Sequence, residues 1–346
     1  MSDFPENRWE IIKQIWRDEN NRWLYALTGF ILGCLFFPFI LVENDILASL
    51  FPEALGIFFT VLVIDTIYHH RAEAQEIKRL VRQLKSEHNF IALNALEELG
   101  DRVSKGHVSG QAFIGSDLRN APILNADFRK SLFLYTQFMG VKISGSVFVE
   151  TTFEMSPLQN SKISNSIFDG SQLNGLRIQN SSFDNVSLKS CSLRNSDFTN
   201  TSLHHVDLQN SDIQSASFLL VKFFYCNLSG LDFSYQNLQD IQFIGCDLSN
   251  TIFVNAQTFA ADFSRANLTG ADLRRMDLDI SNLTGVDLTD ADLTHAFLTT
   301  ASMDKTTILP DGSSWTPETD IARFTDPSHE KYWRSSDPRS PAYSND

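Results

Sequence analysis

Few side chains of this chain are spaced to do chemistry together. Cys34, Cys191, Cys226 and Cys246 lie at least 20 residues apart, so no CxxC pair offers metal or redox work. His204 and His205 are adjacent, but no third ligand stands at metal spacing, and no metal site is expected. No GxxxxGK[ST] phosphate loop, GxGxxG dinucleotide fingerprint, GxSxG nucleophile elbow or HExxH zinc motif occurs. The reading is therefore not an enzyme: no catalytic residue, no cofactor, no metal. A formal charge of −14 over 346 residues argues against a general nucleic-acid binder, which needs a basic face, so no direct nucleic-acid contact is expected.

The elements around these residues fall into three stretches. Residues 23–42 are twenty in a row without a charge, which matches a helix crossing a ~30 Å hydrocarbon core. A second apolar run at 54–64, with Pro52 placed for a first helical turn, predicts a two-helix transmembrane hairpin over 23–68. Its connecting segment, 43–53, carries Glu43, Asp45 and Glu53 and no Lys or Arg, whereas both outer flanks are basic. The positive-inside rule then places both termini in the cytoplasm, with the lipid bilayer as a partner. Residues 66–100 read as an amphipathic helix, with Ile77, Leu80, Val81, Leu84 and Ile91 on one stripe. Gly100 and Gly106 mark a joint that closes a segment over 69–106.

Beyond the joint the chain is one repeat. From Phe113 to Ile308 every fifth residue is Leu, Ile, Phe or Met, forty positions in all, with Thr258 the exception. Two residues before each stands a small side chain, except at Gln111, Leu176, Leu231, Gln236, Ile241 and Met276. A period of five suits neither a helix, in which the apolar positions would spiral, nor a straight strand, in which they would change faces. A chain that turns a corner every five residues keeps them all inward. Four corners close a square coil of 20 residues, which predicts an all-β solenoid of about ten coils over 107–308. Cys191, Cys226 and Cys246 then fall on small inward positions, as core fillers.

Segments such as Ala266-Asn267-Leu268, Ala271-Asp272-Leu273 and Ala291-Asp292-Leu293 resemble the A(D/N)LXX pattern of the pentapeptide-repeat family. The resemblance covers about 200 of the 346 residues. It implies a right-handed quadrilateral β-helix with both the central residue and the small residue before it pointing in. Residues 309–346 lose the register and read as a cap, through about Trp333, followed by a loose tail. The Leu309-Pro310-Asp311-Gly312 turn with Trp315 also resembles the tails of membrane-anchored bacterial members, which implies a multi-pass protein of a bacterial plasma membrane with a cytoplasmic rod.

On such a rod the outward residues carry function. Leu219, Leu220, Phe224, Tyr225, Ile244 and Phe259 occupy outward positions and form a candidate patch for a protein partner or for self-association. The function read from this is a membrane-tethered, non-catalytic scaffold or protein-interaction module. The alternative is DNA mimicry, which the resemblance implies because some members bind topoisomerases. Its candidate acidic face is Asp272, Asp277, Asp287 and Asp292, within a 226–308 stretch of net charge −7.

Overall fold

The computed structural model describes residues 45–343 and divides into two compact units, Met1–Lys78 and Arg79–Asp346. Helix α1 runs Asp45–Leu84 without a break, so the acidic segment expected to connect a hairpin is helical from Asp45 on, and Pro52 lies inside the helix. Among the described residues no helix is long and apolar enough to cross a membrane. The physical reason is length: the charge-free run at 54–64 is eleven residues, about 16 Å of helix, bounded by Glu53 and Asp65. The first apolar run, 23–42, lies outside the described residues. The expected multi-pass plasma-membrane protein is thereby overturned, and nothing among the described residues supports the bilayer as a partner.

In the second unit, helix α2 (Asn89–Leu99) buries Ala92, Ala95, Leu96 and Leu99. It is tied to the first coil by hydrogen bonds. Asn89 Nδ2 donates to Asp117 Oδ1 at 3.2 Å and to the Arg119 carbonyl at 3.0 Å, and the Asp117 N–H donates to the Ser86 carbonyl. Hydrogen bonds from the Arg119 guanidinium hold the Asp117 carboxyl below the usual carboxylate range. The buried leucines of α2 thus close the open end that a solenoid would otherwise present.

The repeat folds as a β-solenoid. Strands β1 (Ala112–Ile114), β3 (Leu132–Leu134) and β5 (Thr152–Glu154) form one parallel sheet. A second parallel sheet orders β10 (Gln242–Ile244), β9 (Lys222–Phe224), β8 (Ser202–His204), β7 (Ser182–Asp184), β6 (Lys162–Ser164), β4 (Lys142–Ser144) and β2 (Pro122–Leu124). Regular strands on that face count about seven turns, fewer than the ten coils expected. Single-residue bridges at the other corners, such as Asp117↔Gln137, Asp127↔Val147 and Thr152↔Gln172, supply four ladders per 20 residues, and bridges carry the pairing on to Asp287↔Ile308.

Each part of the five-residue unit has its own physical task. The central residues stack 20 apart, as in Phe128–Phe148–Phe168 with ring centroids 5.3 and 4.6 Å apart. Serines and threonines at the small inward position stay paired within the core. The Ser166 hydroxyl accepts from Ser146 N–H, and the Thr151 hydroxyl donates to the Phe128 carbonyl. The last residue of the unit turns the corner in a left-handed conformation, and Asn holds many of these corners, including Asn120, Asn160, Asn180 and Asn200.

Two departures follow from the sequence's own irregularities. Leu231, Gln236 and Ile241 are three consecutive oversized residues in small inward slots. At that level two of the four ladders are interrupted: no bridge joins Asp212 to Asp232 or Ser217 to Asn237 among the described residues, although Lys222↔Gln242 and Asp207↔Asn227 persist. Gln236 Nε2 reaches the Ile213 carbonyl at 3.4 Å, while its buried Oε1 has no partner. Gln236→Ser should let the coil close and remove that unmet acceptor, raising stability by about 1–2 kcal/mol in a thermal melt. The second departure is at the end of the array. One extra residue shifts the register, so Leu309 and not Ile308 is fully inward, with Thr307 taking the small slot and donating to the Leu283 carbonyl.

The segment after Leu309 caps the rod and stays attached beyond Arg334, where a loose tail was expected. Ser335 Oγ donates to Asp290 Oδ1 at 2.5 Å and Ser340 Oγ to the Asp290 carbonyl at 2.7 Å, leaving Ala342 buried. Helix α3 (Ala322–Thr325) buries Phe324 against Trp333.

Candidate interaction surface

The six apolar residues of the expected patch all lie on the outside of the rod, but in two groups. Phe224 and Ile244 are in-register partners on β9 and β10, with Tyr225 at the following corner. Leu219, Leu220 and Phe259 lie on the adjoining face, at and beyond the interrupted ladders. Leu219, Leu220, Tyr225 and Phe259 are 40–55% exposed, and Phe224 and Ile244 are half-buried by their neighbours.

The structure adds partners that were not part of the expected patch. His204 stacks on Phe224 with centroids 4.5 Å apart and planes 19° from parallel, and His205 stacks on Tyr225 at 5.6 Å. The adjacent histidines therefore belong to an aromatic column. Gly245 leaves room for it: a Cβ there would come within 2.7 Å of Tyr225 Cε1. The 20-residue spacing of 204/224 and 205/225 makes them neighbours on adjacent coils, and the structure shows that their rings stack. Tyr235, the most exposed aromatic of the rod, lies beside the interruption and was also missed.

The four candidate acidic residues do not form one face. Asp272 and Asp292 are bridged on one ladder, Asp277 belongs to a second with Phe297, and Asp287 to a third with Asn267. Each is also occupied in turn geometry: Oδ1 of Asp272, Asp277, Asp287 and Asp292 accepts the N–H two residues on, from Arg274, Asp279, Thr289 and Thr294. Arg274 further pairs with Asp272 at 2.6 Å, and Asp272 and Asp292 are buried. Asn267 and Asn282 make the same turn contact, so Asp at this position serves the coil first.

Cys191, Cys226 and Cys246 sit in the core as expected. Burial pushes the Cys191 thiol up to about 12 and also raises that of Cys246, so both remain protonated thiols. Among the described residues no group of three or more His, Cys, Asp or Glu side chains is arranged to hold a metal.

A parallel β-solenoid with a five-residue unit and Asx turns at the second position defines the class of protein. The family profile for pentapeptide repeats (8 copies) matches residues 181–218, 226–257, 261–299 and 281–308. The chain belongs to the pentapeptide-repeat family. It is similar to HetL, a pentapeptide repeat protein involved in heterocyst differentiation regulation in the cyanobacterium Nostoc sp. strain PCC 7120, at 25% identity over 59% of this chain and 92% of that one, TM-score 0.37. It is also similar to QnrB1, a plasmid-mediated fluoroquinolone resistance protein, at 20% identity over 56% and 91%, TM-score 0.43. A pentapeptide repeat protein from the Arabidopsis thaliana thylakoid lumen shares 35% identity over 28% and 71%, TM-score 0.15. No curated protein matches the chain. The family assignment rests on the repeat itself and not on superposition of whole molecules.

Proposed function

We propose that this chain is a non-catalytic protein-interaction module whose rod holds a protein partner on the patch around Phe224 and Tyr225. One observation carries the reading. At corners where the repeat commonly uses Asn or Gly, Leu220 and Tyr225 hold left-handed conformations (φ 57° and 53°) while exposing large apolar side chains; Tyr135, Met155, Tyr235 and Ile280 do the same, but only Leu220 and Tyr225 stand on consecutive corners next to Leu219, Phe224 and Ile244. Each such corner costs roughly 1–2 kcal/mol relative to an ordinary backbone conformation, and although Tyr225 stacks on His205, both Leu220 and Tyr225 leave about half of their surface exposed. Coil integrity alone therefore does not account for these residues, whereas contact with a partner does. The dispersal and internal bonding of the four aspartates favour this reading over an acidic DNA mimic.

The test is crosslinking in intact cells, comparing wild type with Phe224→Asp/Tyr225→Asp, followed by mass spectrometry. Both substitutions are outward, so the melting temperature should change little while a defined partner is captured by the wild type only. Capture of the same proteins by both forms would remove the patch from the account. Capture of this chain alone would mean that the patch joins two copies.

A further inference from the structure

The face that carries the aromatic column also carries an unusual arrangement of charge, and this inference rests on the interaction reading above. On β4 and β6, Lys142 and Lys162 are directly opposed in register, both exposed. Parallel strands lie ~4.8 Å apart, so two like charges stand side by side, an arrangement that opposes sheet pairing. Lys222 on β9 occupies the same column three strands on, also exposed. Elsewhere on the rod Arg119, Arg129, Lys130, Lys189, Arg194 and Arg274 each sit on a carboxylate, while Arg177, Arg265 and Arg275 have no carboxylate partner among the described residues. Among the described residues none pairs with Lys142, Lys162 or Lys222. The outward positions of the seven strands of this sheet (β2, β4 and β6 to β10) and the corners that follow them hold these three lysines and one acidic residue, Asp184, in a chain whose net charge is −14.

We infer that this seven-stranded face docks an acidic, aromatic-bearing polypeptide segment, whose carboxylates settle on Lys142, Lys162 and Lys222 and whose apolar side chains pack on Phe224, Tyr225 and Ile244. The occupant follows from complementarity: the lysines lack anions, and the ring column beside them lacks an apolar cover. The face is long enough for a peptide, since seven strands at ~4.8 Å extend roughly 29 Å. Nucleic acid is the weaker fit, because a phosphate at every nucleotide needs a continuous basic track, which three lysines in a chain of net charge −14 do not supply, whereas a peptide can space its carboxylates to match them.

The experiment titrates the full chain into a labelled peptide of Glu with interspersed Tyr, and separately into labelled oligothymidylate, by fluorescence anisotropy at low and high salt. Wild type should bind the peptide more tightly than the oligonucleotide, and salt should weaken that binding. Lys142→Glu/Lys162→Glu should weaken it about tenfold or more, while Lys130→Glu on another face leaves it unchanged. Lys142→Gln/Lys162→Gln should weaken it by a smaller factor and raise the melting temperature, because the like-charge contact is gone. Wild-type affinity in both lysine double variants, or equal or tighter binding of oligothymidylate, would overturn the inference. Sedimentation showing self-association that the lysine variants abolish would overturn it in favour of a second copy. Loss of peptide binding in Phe224→Ala/Tyr225→Ala, with the lysine variants unaffected, would overturn this inference and leave the patch reading standing; no effect of either pair would remove both.

Discussion

Leu248→Asp should unfold the middle of the rod. Leu248 is fully buried, stacks between Leu228 and Leu268 at 20-residue spacing, and donates its N–H to the Asn267 carbonyl at 2.8 Å. Removing a buried leucine typically costs about 2–5 kcal/mol. A carboxylate left there without a partner adds several kcal/mol more, or takes up a proton to avoid it. For a domain of this size that corresponds to a fall of roughly 10–20 °C in melting temperature. The loss should also be local at first, because each coil touches only its neighbours. Amide exchange should therefore rise first around residues 228–268, while the phenylalanine-stacked coils at 113–168 keep their protection. Leu248→Met, close in volume, should cost under about 1.5 kcal/mol. An unchanged melt for the aspartate variant would contradict the inward placement of the central residue.

Truncation after Ile308 should make the protein aggregate where the full chain does not. The cap receives hydrogen bonds that the last coil would otherwise lack: Asp290 N–H donates to the Pro310 carbonyl and His295 N–H to the Thr325 carbonyl. It also covers the coil end with Leu309 and Phe324, both 2% exposed. Without it, the last coil presents unpaired strand edges and the apolar residues Leu288, Leu293 and Leu298, a template for edge-to-edge pairing. Size-exclusion chromatography with light scattering should show high-mass species. Truncation after Arg334 should remain monodisperse and melt only a few degrees lower, since it removes the Asp290 contacts of Ser335 and Ser340 but leaves Phe324 and Trp333 in place. Equal behaviour of the two truncations would show that the segment from Leu309 to Arg334 is not the cap.

Much of the rod was legible because its period leaves few choices. Thr258 breaks the apolar column yet remains buried, its hydroxyl donating to the Asp277 carbonyl, so a single exception did not alter the coil. The extra residue near Lys305 was less visible, since Ile308 continues the count of five while Leu309 is equally apolar; burial of Leu309 decides between them. The reading of 54–64 as a second span failed for a related reason. Hydropathy of 54–64 resembles the middle of a span, but helix α1 extends on both sides of it through charged residues.

For the candidate site, the outward placement of Phe224 and Tyr225 follows from arithmetic on the repeat, and so does the neighbourhood of Phe224 and Ile244. The acidic set misled because Asp is chosen at its position for the turn two residues on, and four such residues can share a sequence stretch while pointing from three faces.

By itself, the sequence determined which side chains enter the core and which leave it, since a corner every five residues admits one inward set. It also placed Cys191, Cys226 and Cys246 in the core. Only the tertiary structure decided how neighbouring coils meet: that oversized Leu231, Gln236 and Ile241 interrupt two ladders, that His204 and His205 stack beneath Phe224 and Tyr225, and that Lys142 stands against Lys162. Those features depend on contact between residues 20 apart, and such contacts exist only once the coils are stacked.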